Sequence, residues 1–269
     1  MNNYYSKFGL TYNPFIKNSK DVTFKSETFV QGMARLNRLI ELKGIGIVSG
    51  EPGIGKTSLV RNLVKDLNKS LYKVIYIPLS TLTINEFYRD LSIRLGLEPR
   101  YKKSDNFRQI QKEILRLVDE NKITPIIIVD EANYIKPETL HDLKMLLNFS
   151  MDSSDKIVLL LVGLPEINTF ITYKVYEALS QRIVMNYNVT ELTKDEIKQY
   201  ILFKLKMANV LIPIINEDCY VLIENYSKGK MRLINKLIDQ CLFFAANENS
   251  ITITKEIVDI ALNEVSFGN

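Results

Sequence analysis

Short apolar runs alternate with helix-like stretches in the first part of the chain. Each run is continuously apolar, which is the pattern of a parallel strand buried on both faces. The stretches between the runs carry apolar residues at helical spacing, as Leu59, Val60 and Leu63 illustrate. This alternation predicts an α/β fold in which helices cover both faces of a parallel sheet. The predicted strands span residues 45–48, 74–77, 126–129, 157–162 and 183–187.

The residues after Asn188 follow helical spacing almost throughout. Thr193 and Glu196 have the spacing of a capping box, in which two side chains satisfy backbone N–H groups at a helix start. Residues 251–253 are the one candidate strand in this part, and helices are predicted over 194–208, 217–227, 230–247 and 254–265. We therefore expect an α/β domain over 1–190, including an N-terminal segment 1–30, and a helical domain over 191–269.

A glycine-rich segment follows the first predicted strand and precedes a predicted helix. It matches G-x-x-x-x-G-K-[ST], the pattern of a phosphate-binding loop, and stands in the required context. In such a loop, backbone N–H groups cradle phosphate oxygens, the lysine meets the β- and γ-phosphates, and the hydroxyl binds Mg²⁺. The expected ligand is ATP with Mg²⁺. The predicted contacts are Gly50, Glu51, Pro52, Gly53, Ile54, Gly55, Lys56, Thr57 and Ser58.

Two adjacent carboxylates end the third predicted strand. Asp130 and Glu131 follow the apolar run 126–129 and lie downstream of the complete phosphate loop. Because the side chains of successive residues at a strand end point in different directions, the two acids can have different roles. We assign Asp130 to the Mg²⁺ shell, together with Thr57, and Glu131 to orienting and deprotonating the attacking water. The pair predicts hydrolysis, catalysed by Glu131 with Lys56, in addition to binding.

Composition excludes several other kinds of site. The chain of 269 residues is 46% apolar and 25% charged, as globular proteins are, and its apolar runs are too short to span a bilayer. A single histidine, His141, permits neither a zinc site nor a serine triad. Cys219 and Cys241 lie in apolar helical stretches and are expected to be reduced packing thiols. With no apolar signal core at its start, the protein is expected in the cytoplasm.

The order of these features resembles that of the AAA+ ATPases. The phosphate loop and the acidic strand end are followed by Arg182, before the last predicted strand, and by Gly229-Lys230-Met231-Arg232 in the helical part. The resemblance implies a P-loop sheet of five parallel strands with a C-terminal helical lid. It also implies that Arg182 is a finger on a neighbouring subunit's γ-phosphate and that Arg232 senses the nucleotide. The alternative for each arginine is an ordinary surface ion pair.

Within the AAA+ proteins, the opening F-G-L-x-x-x-P-F, from Phe8 to Phe15, resembles the ExeA-like group. That group contains secretion ATPases with a membrane anchor and stand-alone transposition helpers of the IstB, TniB and TnsC type. Because this chain ends soon after the lid, the helper branch is favoured. It implies an ATP-hydrolysing regulator that forms a homo-oligomeric ring or filament on double-stranded DNA of any sequence and recruits or activates a transposase, with no membrane. The alternatives are a secretion-associated ATPase and a nucleotide-dependent switch or scaffold with little turnover.

Two further expectations concern single segments. The family's first sensor is a polar side chain near Gly163, whereas Leu164 stands here, so that Asn168 or another residue takes its place or hydrolysis is slow. The basic stretch Arg100-Tyr101-Lys102-Lys103 offers cations to DNA phosphates without reading bases. A solvated charge run is the alternative for it. The net charge of +4 permits such a local patch without requiring it.

Overall fold

The computed structural model describes residues 4–17, 19, 22–78, 81–149 and 155–266. The contacts of the chain divide it into two compact units. The α/β unit consists of Gln31–Glu51 and Lys56–Val189. The helical unit consists of Met1–Val30, Pro52–Gly55 and Thr190–Asn269.

The described strands of the α/β unit form one sheet in which all neighbouring strands are parallel. The order across the sheet is β2-β3-β4-β1-β5. All residues of β1 and β4 are buried, which explains why their sequences are apolar without alternation. The structure confirms the predicted strands, with ends that differ by at most two residues: β1 Gly44–Ser49, β2 Tyr72–Ile77, β3 Thr124–Val129, β4 Val158–Gly163 and β5 Ile183–Asn188.

Helices cover the sheet with their apolar faces. A capping box opens α3, Ile84–Leu95, since Thr83 accepts from the N–H of Glu86 and Glu86 accepts from the N–H of Thr83. A left-handed Gly96 ends this helix. The helices that contribute to this unit are α1 Glu27–Leu42, α2 Lys56–Asp66, α3 Ile84–Leu95, α4 Lys103–Leu115, α5 Pro137–Leu146, α6 Glu166–Ile171 and α7 Glu177–Ser180.

The helical unit has its own apolar core. The predicted capping box of Thr193 and Glu196 opens its first long helix. Cys219 and Cys241 are buried and free, as predicted. In place of the candidate strand 251–253 there is an isolated bridge between Ile215 and Ile253. The helices are α8 Lys194–Met207, α9 Cys219–Ser227, α10 Met231–Asn247 and α11 Lys255–Ser266.

The N-terminal segment belongs to the helical unit, whereas the sequence had assigned 1–30 to the α/β domain. Its apolar residues Phe8, Leu10 and Phe15 are buried in the core of the helical unit. The carboxylate Oδ1 of Asp239, on α10, accepts hydrogen bonds from Oη of Tyr4 and Nδ2 of Asn13, each at 2.6 Å. Position along the chain could not reveal these contacts, because the partners lie more than 200 residues away.

Candidate nucleotide-binding site

The predicted phosphate loop connects β1 to α2. The ammonium Nζ of Lys56, the first residue of α2, donates hydrogen bonds to the carbonyl oxygens of Gly50, at 2.6 Å, and Glu51, at 3.0 Å. Thr57 and Ser58 are exposed in the first turn of α2. Backbone N–H groups in a first turn have no partner within the helix and favour an anion. A lysine, a hydroxyl and a helix N-terminus therefore lie together after β1.

Gly53 lies where this loop meets the start of α10. Its φ of +83° is in the left-handed region, and an added Cβ would lie 2.7 Å from Cβ of Arg232. A side chain at this position would therefore be strained in conformation and would also clash with Arg232. The N–H of Arg232 donates to the carbonyl oxygen of Gly53 at 3.1 Å, and the arginine side chain is exposed. Arg232 is thus a direct neighbour of the loop.

Asp130 and Glu131 follow β3 and are separated by a change of backbone conformation. Glu131 has φ 50° and ψ 39°, a left-handed conformation that residues other than glycine, asparagine and aspartate adopt at a cost. Its N–H donates to Oδ1 of Asp130 at 2.9 Å. The turn gives the acids different surroundings, since Asp130 is half-buried and Glu131 is exposed.

Tyr76, on the neighbouring strand β2, contacts the other oxygen of Asp130. Its hydroxyl donates to Oδ2 of Asp130 at 2.6 Å. Partial burial, followed by this hydrogen bond, raises the pKa of Tyr76 to about 12. The hydroxyl therefore keeps its proton at neutral pH and remains a donor. Tyr76 is not predictable from the sequence, because nothing in a strand pattern shows which residue faces the end of the next strand.

The phosphate loop and the acids are separated by one strand. β4 lies between β1 and β3, so the carboxyl ends of β1 and β3 are two strand spacings apart, about 10 Å. β4 ends at Gly163, where an added Cβ would lie 2.8 Å from Oδ1 of Asn133. The turn that follows the acids can cross the end of β4 because this residue has no side chain. A cationic loop and two carboxylates at nearby strand ends are the kinds of group that hold a metal-bound triphosphate.

Asn133 is a polar residue at these strand ends that the sequence analysis missed. Its Oδ1 accepts a hydrogen bond from the N–H of Leu164 at 3.0 Å. The amide group thus lies beside the position where the AAA+ resemblance implies a polar sensor. The signal that could have found it is its place two residues after the acid pair, in the run D-E-A-N.

Asn168, the residue that the sequence offered as an alternative sensor, contacts the end of β1. Its Nδ2 donates to Oγ of Ser49 at 2.9 Å, and that hydroxyl donates to Oδ1 of Asn188 at 3.2 Å. Ser49 is fully buried. These three side chains connect α6, β1 and β5 directly before the phosphate loop.

Arg182 lies at the opposite end of the sheet from the phosphate loop. It precedes β5, and the residue after it, Ile183, pairs with Ile45 near the start of β1. From Ile45, the end of β1 at Ser49 is roughly 13 Å further along the strand direction, at about 3.3 Å per residue. That distance exceeds the length of an arginine side chain. Arg182 therefore does not reach the phosphate loop of its own chain.

The basic stretch predicted to bind DNA forms the connection between α3 and α4. The buried Asn106 fixes it, since Oδ1 accepts from the N–H of Arg100 at 2.8 Å and Nδ2 donates to the carbonyl of Arg100 at 2.9 Å. Tyr101 is 87% exposed. Lys103 forms an ion pair with Asp142 of α5. Arg100 and Lys102 are exposed and form no ion pair among the described residues, so these two are the more available cations.

Other kinds of site find no support in the described part of the chain. No group of histidine, cysteine, aspartate and glutamate there could hold a metal by itself. His141 is exposed. No described helix is both long enough and apolar enough to cross a membrane.

Comparisons of the sequence with known proteins give two matches. The profile of the family described as AAA domain matches residues 39–171, from α1 to α6. General secretion pathway protein A of Aeromonas hydrophila is 28% identical over 265 residues, which cover 96% of this chain but only 48% of that protein. The chain thus spans about half the length of this relative.

Solved structures show the same architecture. Cdc6p of Pyrobaculum aerophilum superposes with a TM-score of 0.72 at 17% identity, covering 95% of this chain and 71% of that one. Drosophila ORC bound to DNA superposes with a TM-score of 0.69 at 17% identity, covering 97% and 66%. The fold is that of the AAA+ P-loop proteins. The sequence-based prediction of the fold is therefore confirmed.

Proposed function

We propose that this protein binds ATP with Mg²⁺ and hydrolyses it. The arrangement at the carboxyl ends of β1 and β3 carries the proposal, since a phosphate loop and two carboxylates flank the end of β4. Lys56 binds the β- and γ-phosphates, and Thr57 and Asp130 hold the metal, which neutralises phosphate charge when bound. Glu131 accepts the proton of the attacking water.

The same proposal includes a homo-oligomer. Arg182 does not reach the loop of its own chain, so that its guanidinium can meet a γ-phosphate only in a second copy. Such arginine fingers raise turnover by about 10³-fold or more in nucleotide hydrolases that use them. Arg232, next to Gly53, is the arginine that we assign to contacting the nucleotide bound in its own chain.

Two substitutions test the nucleotide site by separating binding from turnover. Lys56→Ala should weaken ATP binding by roughly a hundredfold, because a hydrogen bond to a charged group contributes up to about 3 kcal/mol. Glu131→Gln should retain ATP affinity and lose turnover, because an amide does not accept the proton. Calorimetry with ATP and steady-state phosphate release measure the two effects.

Lys69→Ala is the matched control, because Lys69 is an exposed lysine of the turn after α2. Equal ATP affinity for Lys56→Ala and the wild type would refute the site. Tight ATP binding with no measurable turnover in the wild type would instead favour the nucleotide-dependent switch.

We further propose that the protein uses ATP to assemble on double-stranded DNA and to recruit or activate a transposase. The N-terminal F-G-L-x-x-x-P-F run resembles the ExeA-like group, and this role is supported because that group includes transposition helpers. Further support comes from the exposed cations Arg100 and Lys102, and from the fold shared with DNA-bound ORC. Cations on an exposed connection engage phosphates whatever the base sequence.

The DNA contact can be tested through its dependence on salt. Replacing Arg100 and Lys102 together with alanine should weaken binding to unrelated duplexes equally, and the log–log salt slope should become shallower by about two. Lys103→Ala is the comparison variant, and its effect should be smaller because Asp142 already neutralises that lysine. An unchanged slope in the double variant would remove this connection from the DNA interface.

The second candidate role is that of a secretion-associated ATPase. The match to General secretion pathway protein A over 96% of this chain favours it. The two roles share the nucleotide site and differ in the partner. Stimulation of ATP turnover by duplex DNA, together with co-purification of a transposase, is expected for the first role, and neither is expected for the second.

A further inference from the structure

Tyr76 connects the edge strand of the sheet to the carboxylate that we assign to the metal. β2 and β3 pair in parallel, and the N–H of Asp130 continues their ladder by donating to the carbonyl of Ile77 at 2.9 Å. The backbone of Asp130 is therefore fixed against β2, and the Tyr76 hydroxyl holds one oxygen of its side chain. We propose that Tyr76 is a positioning residue that orients the Asp130 carboxylate for Mg²⁺. The inference rests on the proposed ATP and Mg²⁺ function.

Two hydrogen bonds restrict the orientation of the Asp130 carboxylate. Oδ1 accepts the N–H of Glu131 at 2.9 Å and Oδ2 accepts the hydroxyl of Tyr76 at 2.6 Å. Each carboxylate oxygen has two lone pairs, so both can accept these bonds and still face a metal or its water. One donor lies on β2 and the other directly follows β3, and rotation of the Asp130 side chain about Cα–Cβ would break both bonds.

A tyrosine suits this task better than a flexible donor. It has two side-chain torsions, so holding its hydroxyl in place costs less conformational entropy than holding a lysine or a glutamine. The ring is also partly buried, with 40% of the residue exposed, on a strand that pairs with β3 along its whole length. The hydroxyl is therefore held at the height of Asp130 before any ligand arrives.

Preorganised partners of metal ligands matter for affinity. Mutating them lowers metal affinity or activity by about 10- to 100-fold in proteins with characterised metal sites. Tyr76→Phe removes the hydroxyl and keeps the ring, so we expect the Mg²⁺ concentration for half-maximal effect to rise about tenfold. Affinity for ATP in EDTA should stay unchanged, because Asp130 would contact the metal and not the nucleotide.

The experiment titrates Mg²⁺ against the binding of a fluorescent, non-hydrolysable ATP analogue and, separately, against ATP turnover. Tyr72→Phe is the matched control. Tyr72 lies on the same strand and the same face of the sheet, and its hydroxyl has no hydrogen bond recorded within the described residues. The control should match the wild type in both titrations, and maximal turnover of Tyr76→Phe at saturating Mg²⁺ should approach the wild-type value.

A double variant tests whether Tyr76 acts through Asp130. In the Asp130→Asn background, Tyr76→Phe should cause no further shift of the Mg²⁺ midpoint, because interacting residues are not additive. The same midpoint for Tyr76→Phe and the wild type would overturn the inference, as would a loss of ATP affinity in EDTA, which indicates a general structural role. A wild type that binds no nucleotide with Mg²⁺ would overturn the proposed function itself, and the inference with it.

Discussion

The carboxyl and amino ends of the parallel sheet carry different groups of the proposed hydrolytic site. At the carboxyl ends, Lys56 and the acid pair follow strands that are separated only by β4. At the amino ends, Arg182 precedes β5 beside the start of β1. In a parallel sheet all strands run the same way, so the groups at one end cannot meet those at the other end.

This difference suggests which residues can be mutated to remove ATP turnover without removing ATP binding. Under the proposed function, one chain supplies the groups that bind the triphosphate and the metal, and its Arg182 acts on the nucleotide of a neighbouring copy. The nucleotide would then be bound by a single subunit and hydrolysed efficiently only within an assembly. The following predictions test this division, beginning with the largest effect.

Arg182→Ala should lower turnover by about a thousandfold or more while leaving ATP affinity unchanged, since its charge acts on a neighbour's γ-phosphate. The mixing experiment is decisive. Arg182→Ala and Glu131→Gln subunits are each inactive alone, yet a mixture should regain turnover, because one kind supplies the acid and the other supplies the arginine. Phosphate release measured across mixing ratios reports the rescue.

The control for this mixture is Arg38→Ala, which removes an exposed arginine of α1 and should leave turnover intact. Co-assembly of the two inactive variants without any rescue would contradict the division between the two ends of the sheet.

Arg232→Ala should weaken ATP binding by about tenfold, which corresponds to roughly 1.4 kcal/mol. The backbone N–H that contacts Gly53 survives this substitution, so the phosphate loop should keep its conformation. Arg232→Lys should recover part of the affinity, because it retains the charge. Calorimetric titration with ATP measures both variants, and an unchanged affinity in Arg232→Ala would remove this arginine from the nucleotide site.

Glu131→Gly should raise the free energy of unfolding by about 0.5–1 kcal/mol, since glycine adopts the left-handed conformation of this residue without strain. It should abolish turnover at the same time. Glu131→Gln should lose turnover without this gain, because glutamine has the same backbone preference as glutamate. Urea unfolding curves compare the three proteins, and a Glu131→Gly protein less stable than the wild type would contradict strain at the carboxyl end.

The local pattern of the sequence determined the strands, the capping box of Thr193 and the phosphate loop. These features depend on interactions between residues that are close in sequence, so a short segment is enough to predict them. The burial of Cys219 and Cys241 as free thiols was predicted from the same kind of local pattern.

The tertiary structure alone decided which distant groups meet. The contacts of Tyr76 with Asp130, of Asn133 with Leu164 and of Arg232 with Gly53 arise because the strand order places the end of one element beside another. The packing of 4–17 on the helical unit has the same origin. A hydrogen bond between residues far apart in the chain costs loop closure entropy, which the packing of the whole core offsets. A short segment therefore does not show which distant residue will be the partner.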